Sequence, residues 1–199
     1  HDTNYISKKK LEDLLNFKFL KKNILFTYHP VTLEDNKNDI EIVLKALSKL
    51  AKDVGIIITK SNADDEGRRY NQMFDQFCSE NKNSKCFAAL GQFIYYNCIK
   101  NVDIVVGNSS SGLYEVPSFK KATVNIGNRQ KGRMRSSSVI DSPLDDKAIL
   151  KSINYAFKMN CQKAQNPYGE GNSAKKIMQV LESIEISNLK LQKHFHNIN

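Results

Sequence analysis

Three consecutive serines stand between two glycines directly after an apolar run, in the segment Gly107-Asn108-Ser109-Ser110-Ser111-Gly112, which we call the serine loop. Serine hydroxyls and the unpaired N–H groups at the start of a helix hold phosphate oxygens well, because these N–H groups carry partial positive charge. The segment therefore predicts a phosphate-binding loop. A serine that caps an ordinary helix would produce the same local pattern, so both interpretations stay open. The segment has neither the lysine of a P-loop nor the glycine spacing of a dinucleotide fold.

Charged side chains follow the serine loop at short spacing. Glu115 falls on the first turn of the helix that begins near Gly112, where its carboxylate could accept hydrogen bonds from ribose hydroxyls. An acid that only interacts with the helix dipole is the alternative. Arg129, Arg133 and Arg135 are three of the five arginines in the chain and fall within seven residues. Because a guanidinium binds phosphate or carboxylate through two parallel hydrogen bonds, this cluster predicts an anion site.

His29 is the only histidine between His1 and His194, and it stands between an apolar run and Pro30. This position predicts a side chain at the end of a strand, in the crevice where ligands of α/β sheets bind. We expect His29 to contact an anion or a reacting group. The alternative is a partly buried histidine whose hydrogen bonds are all local.

Composition and charge exclude several classes of protein. The 199 residues carry 30 basic and 21 acidic side chains, for a net charge of +9, but 25 of the basic residues are lysines scattered along the chain. Solvated lysine-rich faces explain this better than a nucleic-acid surface, which clusters arginines among aromatic residues. No apolar run approaches the roughly 18 residues of a membrane span, and residues 1–10 lack the apolar core of a signal peptide. We therefore expect neither a nucleic-acid nor a membrane partner.

The four cysteines, Cys78, Cys86, Cys98 and Cys161, form no CxxC pair and have no histidines at metal-ligand spacing. Metal sites and disulfide frameworks normally show such spacing. We therefore expect no metal, reduced thiols throughout and a cytoplasmic location.

Apolar runs and helical periodicity alternate along the chain. Helices are predicted at residues 39–52, 66–81, 92–101, 145–159 and 174–184 and from about residue 112, and strands at residues 23–28, 55–59, 85–88, 103–106 and 122–126. Continuous apolar strands separated by helices indicate a parallel sheet that is covered on both faces. The fold class is therefore α/β, a doubly wound, Rossmann-like domain. Ligands of such sheets bind at the carboxyl ends of the strands, where His29 and the serine loop fall.

Five segments together resemble the UDP-N-acetylglucosamine 2-epimerase family. The most specific is GNSSSGLYEVPSFKKATVNIGNRQKGR, residues 107–133, in which NSSSG, a glutamate and RQxGR follow one another. The others occur in the family's order: LFTYHPVT at 25–32, SNAD at 61–64, ALG with YYNCIKNVD at 89–103, and YGEGNSA at 168–174. The resemblance covers about residues 20–185 and is strongest to the hydrolysing branch, which feeds sialic-acid and related nonulosonate synthesis.

The resemblance implies the C-terminal half of a GT-B enzyme, in which two Rossmann-like domains enclose a nucleotide sugar. The family's N-terminal half, with its catalytic carboxylates, has no counterpart in this sequence. We therefore expect a fragment, engineered or from a split gene, with a nucleotide-binding domain at residues 1–188 and a polar, frayed tail at 189–199. Its expected partners are UDP, a UDP-sugar and the missing N-terminal domain, with homo-oligomers formed by the full-length enzyme. No cofactor is expected.

The resemblance also assigns roles to individual residues. Ser109 and Ser110 would bind the diphosphate, and Arg129 would contact the nucleotide or its phosphates. His29 would be the catalytic residue that faces the phosphate and the sugar, whereas Glu115 would bind the ribose hydroxyls. The substrate-binding residues implied in full are Asn62, Leu90, Gly91, Ser109, Ser110, Ser111, Gly112, Glu115, Arg129 and Arg133.

Similar enzymes eliminate UDP across the C1–C2 bond of the sugar and then add water, which releases UDP and the free 2-epimer. The base at C2 would come from the missing half, whereas this chain would stabilise the departing diphosphate. UDP-N-acetylglucosamine and UDP-N,N′-diacetylbacillosamine both stay open as substrates. Two alternatives keep the same nucleotide site: another GT-B enzyme, such as a glycosyltransferase or a non-hydrolysing epimerase, and a non-catalytic domain that binds a nucleotide sugar or an effector.

Overall fold

The computed structural model describes residues 5–31, 38–50, 54–62, 65–169 and 171–185. One compact unit, Asp2–Tyr168, contains the sheet, and a second unit, which begins at Gly169, contains the last helix. The strands are β1 (Lys22–Thr27), β2 (Val54–Thr59), β3 (Ser84–Phe87), β4 (Ile104–Gly107), β5 (Ala122–Ile126) and β6 (Val139–Ser142). The helices are α1 (Lys8–Leu15), α2 (Asp39–Ser48), α3 (Asp65–Glu80), α4 (Gly91–Asn101), α5 (Ser111–Tyr114), α6 (Asp146–Ala156) and α7 (Ser173–Ser183), with a 3-10 turn at Val116–Phe119.

The six strands run parallel in the order β3-β2-β1-β4-β5-β6. The register pairs Thr27 of β1 with Thr59 of β2 on one side and with Gly107 of β4 on the other. The chain order reverses between β1 and β4, because β1 leads outward to β2 and β3 whereas β4 leads outward to β5 and β6. This arrangement confirms the predicted doubly wound, Rossmann-like sheet, and its switch point lies between β1 and β4.

Helices cover both faces of the sheet, because the central strands are apolar on both sides. On one face Phe26 and Val106 pack in a cluster that includes Phe74 of α3 and Ile149 of α6. On the other face Leu25 packs with side chains of α1 and α4. Every residue of β2, β4 and β5 is buried, so the two layers hold the carboxyl ends of the strands in fixed positions.

The five predicted strands are confirmed to within one residue at each end, but one helix and one strand were not predicted. Helix α1 was missed because only Leu11 and Leu15 of its eight residues are buried, which leaves little apolar periodicity. Strand β6 was missed because it has four residues, of which only Ser142 is fully buried.

The helix predicted to follow the serine loop is shorter than expected. Helix α5 has four residues, and the chain continues as the 3-10 turn Val116–Phe119, which ends at Lys120 in the left-handed conformation with a φ of 56°. Pro117 explains the break, because it has no N–H to donate to the carbonyl of Leu113 in a continued α-helix. The helix-dipole field behind the serine loop is therefore weaker than a long helix would provide.

The expectation of reduced thiols throughout is wrong for one pair of cysteines. Cys78 on α3 and Cys86 on β3 form a disulfide, with their Cα atoms 6.5 Å apart. The turn between α3 and β3 folds the strand back beside the helix, so a spacing of eight residues brings the two thiols together. Cys98 and Cys161 are free and buried, and burial raises the pKa of the Cys98 thiol to about 12.

Among the residues that the structure describes, no helix combines the length and the apolar character needed to cross a membrane. The same part of the chain contains no group of three or more His, Cys, Asp or Glu side chains that could hold a metal ion.

Candidate functional site

The candidate site lies at the switch point, where the serine loop leaves β4 beside the end of β1. Gly107 has a φ of +138°, and a Cβ atom at this position would lie 1.8 Å from the backbone oxygen of Thr27. Only glycine lets the two strand ends come this close. The sequence therefore places the start of the serine loop directly against the segment that leads to His29.

Asn108 joins these two segments through a reciprocal pair of hydrogen bonds. Its Nδ2 donates to the carbonyl oxygen of His29, and its Oδ1 accepts from the backbone N–H of His29, each at 2.8 Å. The Asn108 side chain is fully buried, so both bonds are shielded from water. The backbone of His29 is thereby fixed against the serine loop. Sequence reasoning did not single out Asn108.

Two side chains from the RQxGR segment converge on the carbonyl oxygen of Asn108. Arg129 Nη1 donates to it at 3.2 Å and Gln130 Nε2 at 2.7 Å. Gln130 is buried and was not predicted as a site residue. Partial burial and the neighbouring Arg133 guanidinium lower the pKa of Arg129, which remains a cation at neutral pH. Arg129 therefore carries positive charge to the base of the serine loop.

The serine loop keeps backbone donors available for a ligand. Among the described residues, none accepts a hydrogen bond from the backbone N–H of Ser109 or Ser110. The following N–H groups are used internally: that of Ser111 donates to Ser109 Oγ at 3.4 Å, and that of Gly112 donates to the Ser109 carbonyl. A Cβ atom at Gly112 would lie 2.6 Å from Thr123 Cγ2, so this glycine serves the close packing of α5 on β5.

A cavity of about 420 Å³ opens beside the serine loop, and we call it the switch-point cavity. Six of the predicted site residues line it, namely His29, Leu90, Gly91, Ser109, Ser111 and Glu115. Residues that were not predicted also line it, among them Thr27, Thr59, Lys60, Gln92, Tyr95 and Tyr96. The remaining predicted residues, Asn62, Ser110, Gly112, Arg129 and Arg133, are not in its lining.

Glu115 is held at one side of this cavity by hydroxyl groups. Tyr95 donates to Ser111 Oγ at 2.8 Å, and Ser111 donates to Glu115 Oε2 at 2.6 Å. Burial is the main cause that raises the pKa of Tyr95 to about 12, so its hydroxyl keeps its proton at neutral pH. The carboxylate therefore has a fixed position at the cavity wall. The sequence pattern did not indicate that Tyr95 belongs to the site, because an aromatic residue on a predicted helix usually belongs to the core.

The three arginines of the cluster have different partners. The Arg133 guanidinium lies over the Tyr114 ring, 5.2 Å from its centroid, whereas Arg135 Nε donates to Asp141 Oδ2 at 2.6 Å. Arg135 belongs to a second cavity, of about 450 Å³, at the carboxyl ends of β5 and β6. This distal cavity contains none of the predicted binding residues, and its lining is Tyr28, Val31, Asp39, Ile126, Gly127, Asn128, Lys131, Arg135, Asp141, Ser142, Pro143 and Leu144.

Comparison with known proteins agrees with the resemblance seen in the sequence. Residues 2–182 match the family model described as UDP-N-acetylglucosamine 2-epimerase. A hydrolysing GDP/UDP-N,N′-diacetylbacillosamine 2-epimerase from Campylobacter jejuni is 40% identical over 162 residues, which are 79% of this chain and 42% of that protein. The polysialic acid biosynthesis protein P7 from Escherichia coli is 36% identical over 185 residues, which are 90% of this chain and 47% of that protein. The chain thus spans less than half the length of these relatives.

The fold also has a counterpart among solved structures. The complex of MnaA from S. aureus with UDP matches with a TM-score of 0.67 at 19% identity, over 92% of this chain and 48% of the other. Since the family model covers nearly the whole chain and the sheet has the fold of these structures, the chain belongs to the UDP-N-acetylglucosamine 2-epimerase family.

Proposed function

We propose that this chain is the UDP-binding half of a hydrolysing UDP-sugar 2-epimerase. The observation that carries the proposal is the arrangement at the switch point. Hydrogen-bond donors that suit an anion and a carboxylate with a fixed position lie there at one edge of the sheet. A nucleoside diphosphate needs both, since its phosphates are anionic and its ribose presents two hydroxyls. Six residues assigned from the family resemblance line one cavity there, which supports the same conclusion.

The diphosphate would bind at the serine loop. It would accept hydrogen bonds from the backbone N–H groups of Ser109 and Ser110 and from the Ser109 hydroxyl. Arg129, which is bonded to the Asn108 carbonyl oxygen, would add positive charge nearby. These groups are held before the ligand arrives, so little reorganisation accompanies binding. The short α5 helix adds only a weak field, which leaves the hydroxyls, the N–H groups and the arginine as the main contacts.

The nucleoside would lie across the rest of the switch-point cavity. Glu115 would accept hydrogen bonds from the ribose hydroxyls, and the backbone near Leu90 and Gly91 would border the uracil. Gly91 has a φ of +67°, and no atom lies within 4 Å of a Cβ built on it, so the chain turns tightly there without crowding the cavity.

In the proposed reaction a base takes the proton from C2 of the sugar while the C1–O bond breaks, and UDP departs with the bonding electron pair. Water then adds to the glycal to give the free 2-epimeric sugar. The base would belong to the proposed N-terminal half of the enzyme. The residues of this chain would stabilise charge on the departing diphosphate, with His29 beside the serine loop as the catalytic residue.

Finer assignments are proposals of the same kind. The C. jejuni relative is named for UDP-N,N′-diacetylbacillosamine, which supports that substrate beside UDP-N-acetylglucosamine. The name of the E. coli relative supports a role in sialic-acid or related nonulosonate synthesis. Association with an N-terminal domain, assembly into homo-oligomers and a cytoplasmic location complete the proposal.

Titration calorimetry of the 199-residue chain with UDP and with inorganic pyrophosphate tests the proposed site. UDP should bind, weakly because half of the cleft is absent, and Glu115→Ala should weaken UDP binding by about 10-fold or more while pyrophosphate binding stays unchanged. Glu80→Ala, at the exposed end of α3, is the matched control and should change neither. UDP affinity that survives Glu115→Ala would show that the ribose assignment is wrong.

A further inference from the structure

A row of hydroxyl groups crosses the switch-point cavity from β2 to α5. Thr59 Oγ1 is hydrogen-bonded to Thr27 Oγ1, where the paired strands β1 and β2 end. Tyr95 bonds to Ser111 at 2.8 Å, and Ser111 bonds to Glu115 at 2.6 Å. All five residues line the cavity, although they come from four different segments of the chain. We call this row the hydroxyl chain.

The carboxylate at one end sets the direction of the hydroxyl chain. An ionised carboxylate only accepts, so Ser111 must donate its one proton to Glu115. Ser111 can then only accept from Tyr95, so these two hydroxyls both donate toward Glu115.

Hydrogen bonds and packing hold this arrangement in place. Thr27 and Thr59 are buried within paired strands, and Tyr95 is held on α4 beside the packed residues Asn97 and Cys98. A glutamate on the wall of a cavity would otherwise change rotamers freely. Oε2 of Glu115 accepts from Ser111, and no donor among the described residues is bonded to Oε1. One carboxylate oxygen is thus fixed by the protein and the other is left for a ligand.

We infer that Tyr95 and Ser111 are positioning residues, which aim the Glu115 carboxylate at the ribose hydroxyls of a bound nucleoside diphosphate. The inference rests on the proposed function and adds a specificity device to it. It assigns the Ser111 hydroxyl to Glu115 rather than to a phosphate. It also gives a role to Tyr95, which lies in the YYNCIKNVD segment but which the sequence analysis did not assign to the site.

The test compares UDP, 2′,3′-dideoxy-UDP and inorganic pyrophosphate as ligands of the 199-residue chain and its variants. The parent chain should bind UDP about 10-fold or more tightly than the dideoxy analogue. Tyr95→Phe should weaken UDP binding by about 3- to 10-fold and should reduce this preference by a similar factor, with pyrophosphate binding unchanged. Tyr70→Phe is the matched control, because it removes a hydroxyl from a buried tyrosine of the opposite core cluster, and it should leave all three affinities unchanged.

A double substitution shows whether Tyr95 affects UDP binding through Glu115 or independently of it. Tyr95→Phe combined with Glu115→Gln should bind UDP no more weakly than Glu115→Gln alone, since Tyr95 acts only through the carboxylate. Ser111→Ala should reproduce the effect of Tyr95→Phe and provides the same test if the tyrosine variant does not fold. Additive losses would contradict the inference.

The possible failures are distinguishable from one another. An unchanged preference for UDP over the dideoxy analogue in Tyr95→Phe and Ser111→Ala would overturn the inference while the UDP site stands. Equal weakening of UDP and pyrophosphate would also overturn it, because the effect would then be a general change of the cavity. A parent chain that binds the two nucleotides equally well would refute the ribose assignment, and the inference with it.

Discussion

Two cavities of similar size, about 420 and 450 Å³, lie at the carboxyl edge of the same sheet. They differ in the partners to which their charged side chains are bonded. In the distal cavity Arg135 and Asp141 bond to each other at 2.6 Å. In the switch-point cavity Glu115 is fixed by Ser111 through one oxygen, and the serine loop retains backbone donors. The comparison teaches that charged side chains at one sheet edge either pair with each other or are held in place beside donors that can still bond.

The largest effect should come from the glycine that lets the two strand ends meet. Gly107→Ala places a Cβ against the Thr27 carbonyl and forces an unfavourable φ, so we expect a loss of about 4 kcal/mol in the free energy of unfolding. Gly127→Ala, in the distal cavity, has a φ of +71° but no atom within 4 Å of the new Cβ, and should cost only about 1 kcal/mol. Urea denaturation of both variants measures the difference. Equal losses would mean that the close approach at the switch point is not required.

The next largest effect concerns catalysis at the switch point. In a polypeptide that adds the proposed N-terminal half, His29→Ala should lower kcat and kcat/KM together, by about 10²- to 10³-fold. A structural histidine would instead lower the melting temperature and leave the activity of the folded fraction near normal. Steady-state rates and thermal unfolding on one preparation separate these results.

Asn108 should show an intermediate effect on stability. Asn108→Ala removes both bonds to the His29 backbone, so we expect a loss of about 2 kcal/mol in the free energy of unfolding. UDP binding should weaken as well, because the serine loop and the His29 segment lose two of the bonds that join them. If chemical denaturation gives Asn108→Ala the same free energy of unfolding as the parent chain, the Asn108 side chain does not stabilise the switch point.

The smallest effects should separate two arginines of one sequence cluster. Arg129→Ala should weaken UDP binding by about 10-fold, because it removes a cation bonded at the serine loop. Arg135→Ala should leave UDP binding unchanged and should alter stability by less than about 1 kcal/mol, since its ion pair with Asp141 is partly exposed. Calorimetric titration of the two variants side by side makes the measurement. A larger effect of Arg135 would place the anion site in the distal cavity.

The sheet was predictable because its strands are continuous apolar runs, whereas β6 and α1 bury too few side chains to leave a pattern. The serine loop and His29 were predictable from their positions after strands. Asn108 and Gln130 were not, because their partners are backbone atoms 79 and 22 residues away along the chain. Arg135 was grouped with Arg129 by spacing, but its bond to Asp141 on β6 depends on a strand that was not predicted. The Cys78–Cys86 disulfide likewise depends on how α3 and β3 pack.

Titration of the isotopically labelled 199-residue chain with UDP, followed by amide chemical shifts, tests the central claim most directly. We predict saturable shifts in the serine loop, at Glu115 and at residues 27–29, with the largest changes at the N–H groups of Ser109 and Ser110. The amides of Lys131, Arg135 and Asp141 should move little. Shifts concentrated at the distal cavity, or no saturable shifts at millimolar UDP, would contradict the assignment of the nucleotide site to the switch point.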